Sequence, residues 1–387
     1  MRPTTTALSV LLLAAAANAQ KASVFHLPAG DYQLGELLAR CEQAVKAPIA
    51  KDRIADLGER RALHLQCDLA LPTEAWEDVL ASVLYAHDLV LTYDAENKRH
   101  EVLPRPALRV RTEWIAARAR PMTIAELAAR PSHKGPVQVK FDPEVETTMA
   151  INMIRPLSFG VPGGITGGAE GELVAFTGLA PSLRAALSTL AAIDPSVAAA
   201  LPTTARPWPS TADATEHTLP SGVHPLGTVV DALARATGRN LLLDTSVPTD
   251  LSFTTTAPIR GNVLAFEDAL TKLLWEQKVA VLGLAPAHGV HVVRLVTPMA
   301  LPSVDESVPM SIAEVLARPD LVTYAEIVVP LGPESAGFDA LMAQVRGMGR
   351  TTMGLDCSGT KDRLVMHGFT HDLVPLLQKL AAPATLK

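Results

Sequence analysis

The sequence predicts an α+β fold: a tandem duplication of a pair of small α/β sandwich domains, giving four lobes. Three observations predict it: similar segments recur in the same order, apolar residues recur at helical spacing, and β-rich runs are separated by turn sequences. The chain has 387 residues, 48% of them hydrophobic, enough for several units that each bury a core. With 34 basic against 40 acidic residues and no basic run, the composition argues against a nucleic-acid-binding protein.

The duplication is visible as four pairs of matching segments. They occur in the same order and at a nearly constant spacing along the chain, which chance does not explain. The pairs are Phe25–Gly35 with His217–Gly227, Trp76–Leu80 with Phe266–Leu270, Met122–Pro131 with Met310–Pro319, and Leu183–Ala192 with Leu373–Ala382.

The N-terminus resembles a secretory signal. Arg2 supplies a positive start, Ala7 to Ala17 is apolar, and Ala17-Asn18-Ala19 is a small-x-small cleavage pattern before Gln20. The apolar stretch is shorter than the roughly 20 residues that span a bilayer, which disfavours the alternative of an uncleaved anchor. We therefore expect residues 1–19 to be a signal peptide, cleaved between Ala19 and Gln20, and the mature chain to be exported.

Export makes disulfides chemically possible. The chain has three cysteines, Cys41, Cys67 and Cys357, so at most one internal bridge can form. Cys41 and Cys67 are the candidate pair because both fall in one predicted lobe. The alternative, three thiols packed as small hydrophobic side chains, stays open.

Repeats and composition divide the mature chain into five parts. Lobe A covers residues 20–103, lobe B 104–194, lobe A′ 216–298 and lobe B′ 299–387. Residues 195–215 are rich in Pro, Ala, Thr and Ser without strong periodicity, which predicts a semi-extended linker between the two copies.

Lobes A and A′ are predicted to combine helices with an antiparallel hairpin. Leu34, Leu37, Leu38 and Cys41 share one helical face, and a second helix starts near Trp76. The other predicted elements are an initial strand Val24–Leu27, a helix from Phe266 that matches the one from Trp76, and the hairpins Leu89–Tyr93 with Glu101–Leu103 and Val279–Leu282 with Val290–Val296.

Lobe B′ is predicted to be a βαββα unit. Its strands are Ala325–Pro330, Thr352–Leu355 and Arg363–His367, with helices around Phe338 and Leu373. In lobe B the matching elements are the strands Val137–Phe141 and Leu173–Phe176 and the closing helix Leu183–Leu190. Between them, the glycine-rich segment Gly160–Gly171 predicts a mobile loop.

These segments resemble a known family. The stretch Leu219–Asp244, followed by the Phe266 helix and a hairpin, resembles the short N-terminal domain of secretins and TonB-dependent receptors. Tyr324-Ala-Glu-Ile-Val-Val-Pro-Leu331, then Asp362-Arg-Leu-Val-Met-His-Gly368 and a Leu-rich helix, resemble the repeated periplasmic domain of bacterial secretins of type II and III secretion and type IV pili. Asp362 stands where the family often has Asn, and Gly171–Gly178 is a weaker copy.

The resemblance implies a location and a class of partners. Secretins continue into a membrane-inserting β-barrel, whereas this chain stops at Lys387, just after its last predicted helix. We therefore expect an adaptor or ring-like piece without its channel, in the periplasm or at the outer membrane. The implied partners are proteins of a secretion or pilus machine, or further copies of the chain; no nucleic acid, cofactor or membrane span in the mature chain is expected.

No residue pattern predicts a catalytic, cofactor or metal site. The segment around Ser335 lacks the first glycine of a nucleophile elbow, and Gly160–Gly171 lacks the Gly-Lys-Ser/Thr ending of a phosphate loop. The pairs His288/His291 and His367/His371 lack a carboxylate or cysteine that would complete a metal site. Glu77-Asp78 and Glu267-Asp268 are interpreted as structural: adjacent helical residues do not face each other, and acidic groups stabilise a first helical turn.

Three functions are compatible with these features. The leading one is a non-enzymatic protein for assembly within an envelope secretion or pilus system, because no set of titratable groups converges and small domains with sheet edges suit protein contacts. The second is an envelope signalling or ligand-binding module. The third is a periplasmic hydrolase acting through Ser335 or a histidine set.

Overall fold

The computed structural model describes most of the four lobes. The described residues are 24–45, 48–50, 63–72, 75–87, 89–104, 112–130, 132–154, 165–191, 194–201, 215–244, 246–298, 300–302, 306–330, 355–360 and 363–381. The predicted signal peptide, Ser335 and the helix around Phe338 lie outside them. Within the described part, small sheets and helices alternate, and the predicted α+β class is confirmed.

The described residues of lobe A form two helices and three small sheets. Strand β1 pairs antiparallel with β5, β2 pairs antiparallel with β4, and a third sheet has the order β3-β7-β6. The elements are β1 Val24–Leu27, β2 Gly30–Tyr32, α1 Leu34–Val45, β3 Ile49–Ala50, β4 Leu63–Leu65, β5 Leu69–Pro72, α2 Trp76–Ala86, β6 Leu89–Asp94 and β7 Arg99–Pro104.

Lobe B is built on one four-stranded sheet of order β10-β11-β9-β8, in which only the β8–β9 pair is parallel. The elements are α3 Thr112–Arg118, β8 Arg120–Met122, α4 Ile124–Ala129, β9 Pro136–Phe141, α5 Thr147–Ile154, β10 Thr166–Glu170, β11 Leu173–Leu179 and α6 Ala180–Leu190. A short helix α7, Pro195–Ala200, follows.

The second copy repeats these topologies. Lobe A′ has the pairs β12–β16 and β13–β15 and a sheet of order β14-β18-β17, and lobe B′ has the sheet β19-β20-β22-β21. The elements are β12 His217–Leu219, β13 Gly222–Pro225, α8 Leu226–Thr237, β14 Asn240–Leu243, β15 Ser252–Thr255, β16 Ile259–Gly261, α9 Val263–Glu276, β17 Val279–Ala285, β18 Val290–Leu295, β19 Val308–Pro309, α10 Ile312–Ala317, β20 Tyr324–Pro330, β21 Asp356–Thr360, β22 Arg363–Phe369 and α11 Thr370–Ala381.

The first turns of α4 and α10 carry the same cap. The Thr123 hydroxyl accepts a hydrogen bond from the amide of Glu126, and the Glu126 carboxylate accepts one from the amide of Thr123. Ser311 and Glu314 repeat this capping box in the second copy. These short helices, inside the recurring Met122 and Met310 segments, were not predicted, because six residues hold too few apolar positions to show a helical period.

Three predictions need correction. The residues expected to begin the linker form α7 instead, because the buried Asp194 side chain accepts hydrogen bonds from the amides of Ser196 and Val197. Part of the expected Gly160–Gly171 loop is strand β10; residues 160–164 lie outside the described part. Helix α9 starts at Val263, capped by Asn262, so Glu267 and Asp268 lie beyond its first turn.

The four lobes do not have four separate cores. Lobes B, B′ and A′ each have a cluster of their own. The core of lobe A, by contrast, continues into the outer face of the A′ sheet, where Leu282, Leu284 and Val292 belong to the same cluster as α1 and α2. Helix α2 contacts β17, and β4 contacts β14. The two copies are therefore packed against each other through their A lobes, and α6 of lobe B also contacts β21 of lobe B′.

Candidate protein-interaction site

The titratable groups that cluster in the structure lie at the junctions between lobes. In the first copy, Arg130 of lobe B donates to both carboxylate oxygens of Asp78 on α2, at 2.9 Å from Nε and 2.7 Å from Nη2. His133 Nδ1 lies 3.0 Å from Asp78 Oδ1, and Arg130 also reaches Glu77 at 3.5 Å. This two-point pairing of guanidinium and carboxylate fixes the orientation of lobe B on lobe A.

The second copy repeats this junction with deeper burial. Arg318 donates to Asp268 Oδ1 and, at 2.7 Å, to Glu267 Oε2, and Arg239 pairs with the other oxygen of Glu267. The side chains of Arg318 and Glu267 are 8% and 3% exposed. The two acidic pairs are structural, as the sequence indicated, but their physical role is to pair with an arginine of the next lobe. That signal was available, because Arg130 and Arg318 both lie in the matched segments.

The two junctions are expected to respond to acid in opposite ways. Burial pushes the pKa of Asp78 up, but hydrogen bonds and charge from His133 and Arg130 outweigh it, and the pKa is lowered. Burial, Glu267 and Asp320 together outweigh Arg318 at Asp268, and its pKa is raised. An Asp with a lowered folded pKa stabilises the fold above the unfolded value of about 3.9, and this contribution is lost as pH falls through the folded pKa.

We therefore predict that removing the Asp78 charge makes the free energy of unfolding fall less steeply as the pH is lowered. Wild-type protein loses unfolding free energy below about pH 4, whereas Asp78→Asn, already less stable at neutral pH, loses less of it there. Asp268→Asn is the matched control. Because the pKa of Asp268 is raised in the folded state, its charged form destabilises the fold at neutral pH, and removing it does not make the fall of unfolding free energy in acid less steep. Urea denaturation between pH 3 and 7 measures the difference, and equal acid slopes for wild type and Asp78→Asn would contradict the assignment.

The other residues considered from the sequence do not come together. His367 Nε2 lies 3.1 Å from Glu326 Oε2 inside the B′ sheet, whereas the ring of His371 packs against Trp275 and Phe369. His291 is fully buried on β18, and burial lowers its pKa far below the ordinary value. Within the described residues, no group of three or more His, Cys, Asp and Glu side chains could hold a metal ion.

The cysteines are free thiols in the structure. Cys41 is buried in the lobe A core, and burial raises its pKa to about 12. Cys67 lies in the contact between the copies: its amide donates to Asn240 Oδ1 at 3.0 Å, and its Sγ lies 3.7 Å from the carbonyl oxygen of Arg239. Of the two states that the sequence leaves open for Cys41 and Cys67, the structure shows the unbonded one.

The cavity within lobe A is too small for a substrate. It measures about 20 Å³ and is lined by apolar side chains of α1, α2 and the neighbouring strands, among them Leu37, Cys41 and Leu80. A void of that size holds at most one water. It is therefore a packing gap.

The feature best suited to contact a protein is the outer edge of β10. This strand is the last in the lobe B sheet, pairs along its full length with β11, and is exposed. Among the described residues, no strand pairs with its other side. Gly167 is required there, because a Cβ would lie 2.3 Å from the ring of Phe176, which covers this position. The result is an edge of small residues with an accessible backbone.

Acidic residues surround this edge. Phe141 pairs with Val174, and Val174 pairs with Ala169, so the sheet register brings the chain after β9 and the turn after β10 to one end. Glu144, Glu146 and Glu172 are exposed there, whereas Glu170 is paired with Lys140 at 2.6 Å. The neighbouring surface of α5 is a shallow, open depression formed by Glu146, Thr148, Met149 and Asn152. This acidic edge, β10 with Glu144, Glu146 and Glu172, was not predicted from the sequence.

None of the helices that the structure describes has both the length and the hydrophobicity needed to cross a bilayer. No family model matches the chain, and no curated protein matches it.

Two of the solved structures to which the chain is similar are a complex from a type II secretion system and the N-terminal domain of a secretin. One is the GspC–GspD complex of enterotoxigenic Escherichia coli: 13% identity over 44% of this chain and 100% of that chain, with a TM-score of 0.19. The other is the N-terminal domain of the secretin XcpQ of Pseudomonas aeruginosa: 10% identity over 92% of this chain and 98% of that chain, with a TM-score of 0.18. TM-scores this low do not establish a shared function.

Proposed function

We propose that the chain is a non-enzymatic periplasmic protein that mediates protein–protein assembly in an envelope secretion or pilus system. The observation that carries the proposal is the acidic edge. An exposed sheet edge presents unpaired backbone groups, and an extended segment of another protein can add to it as a further strand. The resemblance of both copies to periplasmic secretin domains supports the choice of system.

The chemistry around β10 favours one kind of partner segment. The small residues Gly168 and Ala169 leave room for a neighbouring backbone, and the carboxylates of Glu144, Glu146 and Glu172 attract positive charge. Met149, 47% exposed, offers an apolar contact beside the strand. An extended segment that alternates apolar residues with Lys or Arg therefore fits this edge.

The test is a titration against the purified periplasmic domains of a secretin encoded in the same genome. We expect a complex that weakens as salt is raised, because exposed charges are screened. The double variant Glu172→Lys/Ala169→Lys reverses one charge and places a second lysine on the edge. It should weaken the complex several-fold at low salt. Glu216→Lys, the same charge change on an exposed residue of lobe A′, is the control.

Light scattering and fluorescence anisotropy measure the complex and its dissociation constant. A complex that Glu172→Lys with Ala169→Lys leaves unchanged would remove the acidic edge from the proposal. If the wild-type protein forms no complex with the secretin domains in low salt, that result would contradict the proposed function itself.

A further inference from the structure

The contact between the two copies joins two different surfaces. From lobe A it uses α2 and the turn after β4, which we call the donor surface. From lobe A′ it uses β14 and the outer face of β17 and β18, which we call the acceptor surface. Because the contact is not self-complementary, each copy still has the surface that the other one uses. Such a contact can in principle continue from chain to chain into a ring or filament.

The hydrogen bonds of this contact show how specific it is. The Gln66 side chain donates to the carbonyl of Leu241 at 3.0 Å and accepts from the amide of Leu241 at 2.9 Å, so it acts as a ladder partner for the open edge of β14. The Ser82 hydroxyl, fully buried, donates to the carbonyl oxygen of Ser132 in lobe B at 2.8 Å and also lies 3.3 Å from the carbonyl oxygen of Leu284. Small residues of α2 let the helix approach the A′ sheet closely.

The donor surface of the second copy is polar. Helix α9 corresponds to α2, yet Lys272 and Glu276 stand where α2 has the buried Ser82 and Ala86. Both are exposed, and Lys272 pairs with Asp320 at 2.7 Å. Helix α2 is buried around nearly its whole circumference, whereas α9 buries the face toward its own lobe. Stacking α9 on another copy would bury both charges.

The acceptor surface of the first copy is already occupied. By sheet register, Thr92 and Glu101 correspond to Leu282 and Val292 of the apolar A′ face. Helix α3 covers this polar face: Arg118 Nε donates to Glu101 Oε2 at 3.0 Å. Ile115 of the same helix packs with Val90 and Leu179. Between β18 and β19 of the second copy, the described residues include no matching α-helix.

We propose that α3 and the polar face of α9 are end caps. They prevent the contact between donor and acceptor surfaces from forming between chains, so that it forms once, within each chain. The partner that these surfaces would otherwise receive is a second copy of this chain. Repeat proteins end their stacks in the same physical way, with terminal units whose outer face is polar. The inference goes beyond the proposed function, since it needs no other protein.

The test opens each end separately in the full-length protein. Lys272→Ser with Glu276→Ala restores an α2-like donor surface. Thr92→Leu with Glu101→Val makes the acceptor surface apolar, and Arg118→Ala with Ile115→Asp in the same variant removes the two contacts that hold α3 over it. Each variant alone has one open end, so we expect it to associate no more than wild type does. Their mixture should form a one-to-one complex of doubled mass, measured by light scattering at matched far-UV circular dichroism.

Two outcomes would overturn the proposal. One is a mixture of folded variants whose mass does not rise. The other is the finding that the wild-type protein forms oligomers and that Lys272→Glu abolishes them. That result would show that the α9 face packs against a second chain in the wild-type protein. This second measurement needs no opened acceptor, so the proposal is testable even if the acceptor variant does not fold.

Discussion

Replacing Arg318 with alanine is expected to lower the free energy of unfolding by about 3–5 kcal/mol, because removing one partner of a buried ion pair leaves uncompensated charge in the interior. Arg318 is the guanidinium shared by Glu267 and Asp268, and the Glu267 side chain is 3% exposed. Arg239 stays paired with Glu267 in this variant, whereas Asp268 loses the guanidinium of Arg318. The variant should therefore have a weakened junction between lobes A′ and B′.

Two companion variants separate burial from charge. Lys272→Ala removes an exposed pair with Asp320, 62% and 63% exposed, and is expected to cost less than about 1 kcal/mol. Arg318→Lys keeps the charge but loses the planar two-point geometry, so its cost should lie between the two. Urea denaturation of the full chain measures all three. An Arg318→Ala cost as small as that of Lys272→Ala would show that this junction does not hold the lobes together.

Replacing Leu282 with alanine is expected to lower the free energy of unfolding by about 2–5 kcal/mol, through lost burial and the cavity left behind. Leu282 is fully buried on β17, in the cluster that joins the A′ sheet to lobe A. Its loss should loosen the contact between the copies, so backbone amides of α2 should exchange hydrogen faster.

Thr92→Ala is the matched control for this variant. Thr92 holds the corresponding position on β6, is 3% exposed, and lies on the strand that α3 contacts. Truncating it removes less apolar surface, and we expect a cost of about 1 kcal/mol with no change in exchange at α2. Equal costs and equal exchange for the two variants would mean that Leu282 does not carry the contact between copies.

The elements that could be predicted from the sequence are those with a strong local period. Helices α1 and α2 and the hairpin β6–β7 were predicted this way, and so was the βαββα outline of lobe B. Their apolar positions recur within one element, so the pattern survives whatever packs on it. Strands β8 and β19 are too short to show such a pattern.

What could not be predicted depends on contacts distant in sequence. Strand β10 is held by Phe176 of β11 across Gly167, and a glycine-rich run carries no alternation to announce it. The pairing of Arg130 with Asp78 joins residues 52 positions apart. The small residues Ser82 and Ala86 gave a partial signal that α2 is buried on more than one side, but they do not identify the second copy as the cover.

The contact of Ser82 with Leu284 has a consequence for biosynthesis. The two residues are 202 positions apart, so the ribosome completes α2 long before the strand that shields it exists. Until then, nascent lobe A carries a helix whose apolar sides are only partly covered, a surface on which chaperones act and unfinished chains aggregate. Chains that terminate early, before β17, should therefore be recovered mainly as insoluble or chaperone-bound material.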